Sequence, residues 1–227
     1  MSAGEGRKLP PAPSADFLRD NVVSDIARLE AGTPLSRIYC AGGPHPQSWD
    51  ALRHWGPAPN VRFDHHPPPP GFGTEGVLYG AAGEEALATC VAEFFQETRT
   101  VDRLDRAPWL VVFEFSEAVE LLSVRGKWPT RAGASHDINS NGVRALTQGW
   151  ARSIHAAYPD LGGIYYSSSM NGAQPALVLT ERASRTLPSR PLVNRALSDP
   201  LLTAPLRAVC SKSTGIGYEL RPSYPNT

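Results

Sequence analysis

The chain has 227 residues, and 22 acidic side chains balance 22 basic ones, so its formal net charge is zero. That length suits one domain with a core of its own, and the balance excludes both the basic surplus of a general nucleic-acid binder and the acidic tail of a solvating segment. Three cysteines, Cys40, Cys90 and Cys210, stand far apart without a Cys-x-x-Cys pair, which argues for buried free thiols rather than a zinc knuckle or a disulfide framework.

The N-terminal stretch Met-Ser-Ala-Gly-Glu-Gly-Arg-Lys-Leu-Pro-Pro-Ala-Pro lacks the apolar segment of a secretory leader. No apolar run has the length of a membrane span, so the expected location is the cytoplasm, with no membrane contact. Residues 1–13 read as a flexible lead-in. Ser14 is placed to cap a helix over about 15–30, with Phe17, Leu18, Val22, Ile26 and Leu29 inward and Gly32 ending it. Residues 1–34 thus form an extension carrying one helix, and 35–227 the main domain. Residues 36–40 form a strand. Residues 41–76 are mostly loop, with a short helix near 48–54 and a stiff polyproline spacer at 67–70. A short buried strand follows at 77–81, then a break at Gly83 and an amphipathic helix to Phe95. Its stripe is Leu87, Cys90, Val91, Phe94 and Phe95, with Glu84 and Glu85 in the first turn.

Further along, Trp109-Leu-Val-Val-Phe-Glu-Phe115 is a strand, and 119–124 another. Residues 125–140 read as loop. A helix opens at Asn139 or Asn141 and runs to about Ala157, with Val143, Leu146, Trp150 and Ile154 in register. Strands at 163–168 and 176–180 pair antiparallel through a hairpin-like turn, Met170-Asn-Gly-Ala. The last third is irregular, with a short strand near 206–210. Clustered strands separated by two or three helices indicate an α+β fold, with compact mixed or antiparallel sheets and flanking helices.

Several motifs compete with plainer readings. Gly71-Phe72-Gly73-Thr74-Glu75-Gly76 matches Gly-x-Gly-x-x-Gly, but it follows four prolines and precedes a strand. A dinucleotide fingerprint follows a strand and opens a helix, so a glycine-rich loop is the better reading. His65 and His66 are adjacent and should diverge in an extended chain. His45, His54, His136 and His155 show no ligand spacing, and loop histidines are usually solvated or capping rather than metal ligands. Ser167-Ser168-Ser169 follows a strand without the Gly-x-Ser-x-Gly pattern of a nucleophile elbow. It reads either as small turn residues or as hydroxyls that hold phosphate or ribose oxygen. Arg37 and Arg62 lie between apolar neighbours, where a guanidinium is either solvated or aimed into a cleft at an anion. Glu93 lies on the flank of the apolar stripe, after a strand bearing Tyr79. Glu97, one turn on, qualifies as well by spacing alone.

Taken in order, Arg37-Ile-Tyr39, Val61-Arg62-Phe63, Val77-Leu-Tyr79, Val91-Ala-Glu93-Phe, Gly163-Ile-Tyr-Tyr-Ser167-Ser168 and Leu177-Val-Leu resemble the RES domain, named for its arginine, glutamate and serine. The resemblance covers about residues 35–180. Val61 stands where many members have glycine, the spacing from Tyr79 to Glu93 is a few residues long, and Met170 stands at a usually polar or basic position. The resemblance implies a core like that of the ADP-ribosyltransferase toxins. It further implies an NAD+-cleaving enzyme, a glycohydrolase or phosphorylase releasing nicotinamide, that serves as the toxin of a bacterial toxin–antitoxin pair. The partner implied is an Xre-type helix-turn-helix antitoxin, with no direct nucleic-acid binding, and self-association stays open. Transfer of ADP-ribose to a protein, and a binding module without turnover, are the alternatives.

The chemistry suits these residue types. Nicotinamide leaves as a neutral base, so no general acid is needed, and the barrier lies in an oxocarbenium-like ribose. On this reading Glu93, Arg37 and Ser168 are the catalytic residues, with Glu93 binding the ribose hydroxyl and orienting the acceptor. Arg37 and Arg62 hold the diphosphate, Tyr79 packs on nicotinamide with Tyr39 as a second wall, and Ser168 or Ser167 holds an oxygen. NAD+ is the substrate, and neither metal nor cofactor is called for.

Overall fold

The computed structural model describes residues 9–222. Ser14 caps a first helix as expected, with Phe17 N–H donating to Ser14 Oγ at 3.2 Å, but the helix, α1, covers only Ala15–Asn21. The chain then turns into a strand, β1 (Ile26–Leu29), which pairs antiparallel with a later one, β7 (Val119–Ser123). The long helix expected over 15–30 is therefore a helix plus a strand. Val22 takes extended backbone, and Asp25 caps a distant turn by accepting from Trp128 N–H at 3.0 Å. Phe17 and Ile26, expected inward, are exposed, whereas Leu18 and Val22 are buried. Leu9 is fully buried and Trp150 Nε1 donates to Pro10 O at 2.8 Å, so the described part of the lead-in is pinned to the core.

The remaining strands are β2 (Pro34–Cys40), β3 (Arg53–Gly56), β4 (Gly71–Ala82), β5 (Thr100–Val101), β6 (Pro108–Glu114), β8 (Gly163–Ser167), β9 (Pro175–Thr180), β10 (Val193–Ala196) and β11 (Glu219–Leu220). Among the described residues, nine strands form one mixed sheet in the order β1-β7-β8-β9-β4-β2-β6-β10, with β3 added to the outer half of β4. Only β7 and β8 pair in parallel within it. Strand β8 and its antiparallel neighbour β9 pair as the sequence predicted.

The other helices are α2 (Ala86–Phe94), α3 (Trp128–Arg131), α4 (Arg144–Ala157) and α5 (Thr203–Cys210). Four local expectations change. Residues 71–76 are the start of the twelve-residue strand β4, not a loop, because β3 supplies a partner from the segment expected to be a short helix. Glu84 and Glu85 precede α2 rather than occupying its first turn. The stretch 125–140 holds α3 and a 3-10 turn at His136–Asn139. Residues 206–210 are helical, since Leu206 and Cys210, four apart, share one buried face.

Alternation along the strands divides the molecule into two faces. On one face, Leu35, Tyr39, Leu78, Phe113, Leu177 and Leu179 pack beneath Trp49 and Leu52. On the other lie two separate apolar clusters. One joins Ile38, Ala81, Cys90, Val91 and Leu206 beneath α2 and α5. The other joins Phe63, Val77, Trp150, Ile154, Ile164, Tyr166 and Val178 beneath α4. The two clusters part over the middle of the sheet.

Candidate functional site

A cleft of about 780 Å³ opens where those two clusters part, within the range of small-molecule sites. Its floor is Ile38, Tyr79, Ala81, Tyr166 and Ala176 on β2, β4, β8 and β9. Helix α2 contributes Thr89, Cys90, Glu93 and Phe94, and the facing wall is Asn60–Arg62 with Arg144.

Glu93 reaches this cleft because α2 buries Ala86, Thr89, Cys90, Val91 and Ala92 against the sheet, leaving the flank of its last turn at the cleft's edge. Ser168 Oγ donates to Glu93 Oε1 at 2.6 Å. The same oxygen accepts from the backbone N–H groups of Met170 and Asn171, both at 3.1 Å. A hydroxyl has one proton and two lone pairs, so Ser168 is fully engaged and its proton is committed to the carboxylate. It positions Glu93 and has no lone pair left to attack a substrate. Asn171 Nδ2 donates to Thr89 Oγ1 at 3.0 Å, which joins the turn after β8 to α2 one helical turn before Glu93.

Arg62 is buried, with Nη1 donating to Asn139 O at 2.8 Å and Nη2 to Ser169 Oγ at 2.6 Å. Its Nε is buried and has no hydrogen-bond partner among the described residues. The next residue, Phe63, takes φ +54° while its ring packs on Tyr166 at 4.9 Å. A bulky residue held in the left-handed region marks backbone that the surroundings over-determine. Tyr79, in the cleft floor, donates from its hydroxyl to Arg62 O at 2.8 Å, and burial raises its phenol pKa well above the usual value. Arg144 also lines the cleft and is tied to Asn141 O at 2.8 Å. Burial first and the charge of Arg62 next lower its pKa, while Glu93 and Glu97 act the other way. Two guanidiniums thus stand near each other and near two carboxylates. Cys90 is no nucleophile here: burial pushes its thiol to about 12.

The structure does not bring every expected residue together. Arg37 and Tyr39 project from the opposite face of β2 from Ile38, as two-residue periodicity requires, and do not line the cleft. Arg37 Nη1 donates to Trp49 O at 2.7 Å and Ala51 O at 3.1 Å, and Nη2 to Gln47 Oε1 at 3.0 Å. Burial brings its pKa down to about 10. Tyr39 donates to Asn194 Oδ1 at 2.8 Å on that same far face. The diphosphate role expected of Arg37 and the wall expected of Tyr39 do not fit these positions. Ser167 also stands apart: its N–H donates to Asn139 Oδ1 at 3.0 Å and its Oγ accepts from Arg125 Nε at 3.2 Å. Glu97 lines the outer cleft without the serine brace that Glu93 has.

Asn139, Asn171, Thr89, Tyr166 and Arg144 complete the site, and none was singled out from sequence for it. Asn139 had the residue type of a helix opener. Its side chain instead ties Val124 O, at 3.0 Å, to Ser167 N while its carbonyl holds Arg62. Arg144, in the first turn of α4, had no local signal beyond its charge.

The family model described as the RES domain matches residues 34–199. A search of curated proteins gave no match. Among solved structures, a chain of the crystal structure of the M. tuberculosis MbcT–MbcA toxin–antitoxin complex aligns with a TM-score of 0.54 at 18% identity, covering 80% of this chain and 92% of that one. At that identity the likeness is one of fold. The family match spans most of the chain and takes in Arg62, Glu93 and Ser168, so the protein belongs to the RES domain family.

Proposed function

We propose that this chain cleaves NAD+ at the bond between nicotinamide and ribose, and that it acts as the toxin of a toxin–antitoxin pair. The observation that carries the chemistry is the Glu93 carboxylate, held by Ser168 at 2.6 Å, in a cleft that it shares with Arg62 and Arg144. In the step, the glycosidic C–N bond breaks and its electron pair stays on the nicotinamide nitrogen, which becomes neutral. The ribose carbon turns positive, and Glu93 stabilises that charge from a fixed position, so little reorganisation is needed. An acceptor oxygen then forms the new bond and releases its proton. Arg62, as expected, and Arg144, in place of Arg37, supply the positive charge that meets the diphosphate. Tyr79 and Tyr166 form the apolar floor against which a flat base packs.

The toxin role rests on family membership and on the fold shared with a chain of a toxin–antitoxin complex. The antitoxin is proposed to be of the Xre helix-turn-helix type. Purified protein incubated with NAD+ should release nicotinamide, and Glu93→Gln should stop that release while its far-ultraviolet spectrum stays unchanged. Absence of release by the wild-type chain, in water and with added phosphate, would overturn the reading. Ribose-labelled NAD+ in lysate distinguishes the acceptors, because label on protein would mean ADP-ribosyl transfer.

A further inference from the structure

Away from the cleft, three side chains from separate elements converge: His65 in the β3–β4 connection, Glu75 on β4, and His155 in the last turn of α4. One ligand atom from each lies within 4.8 Å of the other two. His155 Nε2 approaches Glu75 Oε2 at 2.7 Å, and His65 Nε2 stands 4.0 Å from the same oxygen. The imidazoles stack at 4.0 Å between centroids. From this constellation we propose that His65, Glu75 and His155 bind a divalent transition-metal ion of the zinc class.

Three observations carry this. Among the described residues the buried Glu75 Oε2 makes no hydrogen bond, although His155 Nε2 stands 2.7 Å from it, which leaves its lone pairs open to a cation. Nitrogen and oxygen ligands about 2.0–2.2 Å from one tetrahedral ion sit about 3.3 Å apart, and the two separations to Glu75 Oε2 bracket that value. Finally, His155 lies at the C-terminal end of α4, where the helix dipole favours a cation. The neighbouring Arg182 is spent on the carbonyls of His155 and Tyr158, at 2.9 and 3.1 Å. Three protein ligands leave a coordination position for water, and a void of about 20 Å³ bordering both histidines has room for one.

Adjacency in sequence hid this site. His65 and His66 do not diverge but stack at 5.1 Å, because Asp64 takes His66 Nδ1 at 2.5 Å and turns that ring inward. An ion here would clamp the β3–β4 connection to β4 and α4 three residues from Arg62. Its role is structural and independent of the proposed reaction.

Chelator-stripped full-length protein titrated with Zn2+ alone tests the site. One ion should bind per chain, and a hundredfold excess over the dissociation constant should raise the melting temperature by about 5–10 °C. Glu75→Gln and His155→Gln should each weaken binding on the order of 100-fold. If a variant misfolds, the wild-type chain supplies the second readout. Ring-proton resonances of His65 and His155 should shift together and saturate at one equivalent, with those of the exposed His45 unmoved. Unsaturable binding, binding that survives either substitution, or shifts confined to other histidines would overturn the proposal.

Discussion

Arg37 and Arg62 look alike in sequence and in burial, at 5% and 8% exposed, yet they belong to opposite faces of one sheet. Arg37 ends on three oxygen acceptors contributed by residues 47–51, and it knits that segment down. Arg62 is held by Asn139 O and Ser169 Oγ and lines the cleft that holds Glu93. The difference teaches that burial of a guanidinium does not by itself mark a binding site; the face of the sheet that it lies on decides whether it meets the cleft.

Loss of Glu93 gives the largest effect expected. Glu93→Gln keeps the hydrogen-bonding shape beside Ser168 but removes the charge, and nicotinamide release should fall at least about 10³-fold. Because Glu93 sits on the edge of α2, thermal unfolding should barely move. A variant within tenfold of wild type would shift attention to Glu97.

The arginine pair should then separate the two faces. Arg37→Ala strands buried carbonyl acceptors and should lose about 3–4 kcal/mol of stability, seen as a fall in melting temperature on the order of 10 °C. Its folded fraction should still turn over NAD+. Arg62→Ala should do the reverse, lowering kcat/KM by about 10²-fold with a smaller thermal effect. If Arg37→Ala instead raised KM without loss of stability, the assignment of faces would be wrong.

Much of this architecture was legible. The apolar run of β6, the β8–β9 hairpin and the stripe of α2 follow from local sequence pattern, which the chain carries within each segment. Helix α1 was over-extended because Ile26 and Leu29 continue a helical spacing, and only pairing with β7 makes them a strand. The 71–76 strand stayed hidden because its glycines and the prolines before it signal a loop, while its partner β3 lies across a long connection. Within the site, Glu93, Arg62 and Ser168 were legible through family resemblance rather than spacing. Arg37 was misplaced because period two puts a strand residue on one of two faces, and the sequence does not say which face faces the cleft. Asn139 and Arg144 depend on chain segments far apart in sequence, and so does the His65–Glu75–His155 cluster.

Ser168→Ala comes next in size. With its proton gone, Glu93 loses the hydrogen bond that ties it to the β8–β9 turn and should wander, so kcat should fall by about 10²-fold while KM changes little. Ser167→Ala, one residue away, should fall less than threefold, since Ser167 bonds to Arg125 and Asn139 instead. Equal losses in the two variants would mean that the turn as a whole, not the Ser168 hydroxyl, orients the acid.

The two tyrosines repeat the comparison at its finest grain. Tyr39→Phe removes a hydroxyl bonded to Asn194 on the far face, and Tyr79→Phe removes one bonded to the carbonyl of Arg62 in the cleft. Each deletes one neutral hydrogen bond and should reduce stability by about 1 kcal/mol, so thermal unfolding alone cannot tell them apart. Kinetics can. Tyr39→Phe should leave KM for NAD+ unchanged, because neither Tyr39 nor its partner Asn194 lines the cleft. Tyr79→Phe frees the peptide that carries Arg62 and should raise KM several-fold, with the ring still present to pack on the base. Were the two variants to raise KM alike, the sheet would be transmitting strain between its faces, and the separation of a structural arginine from a substrate-binding one would lose its physical basis.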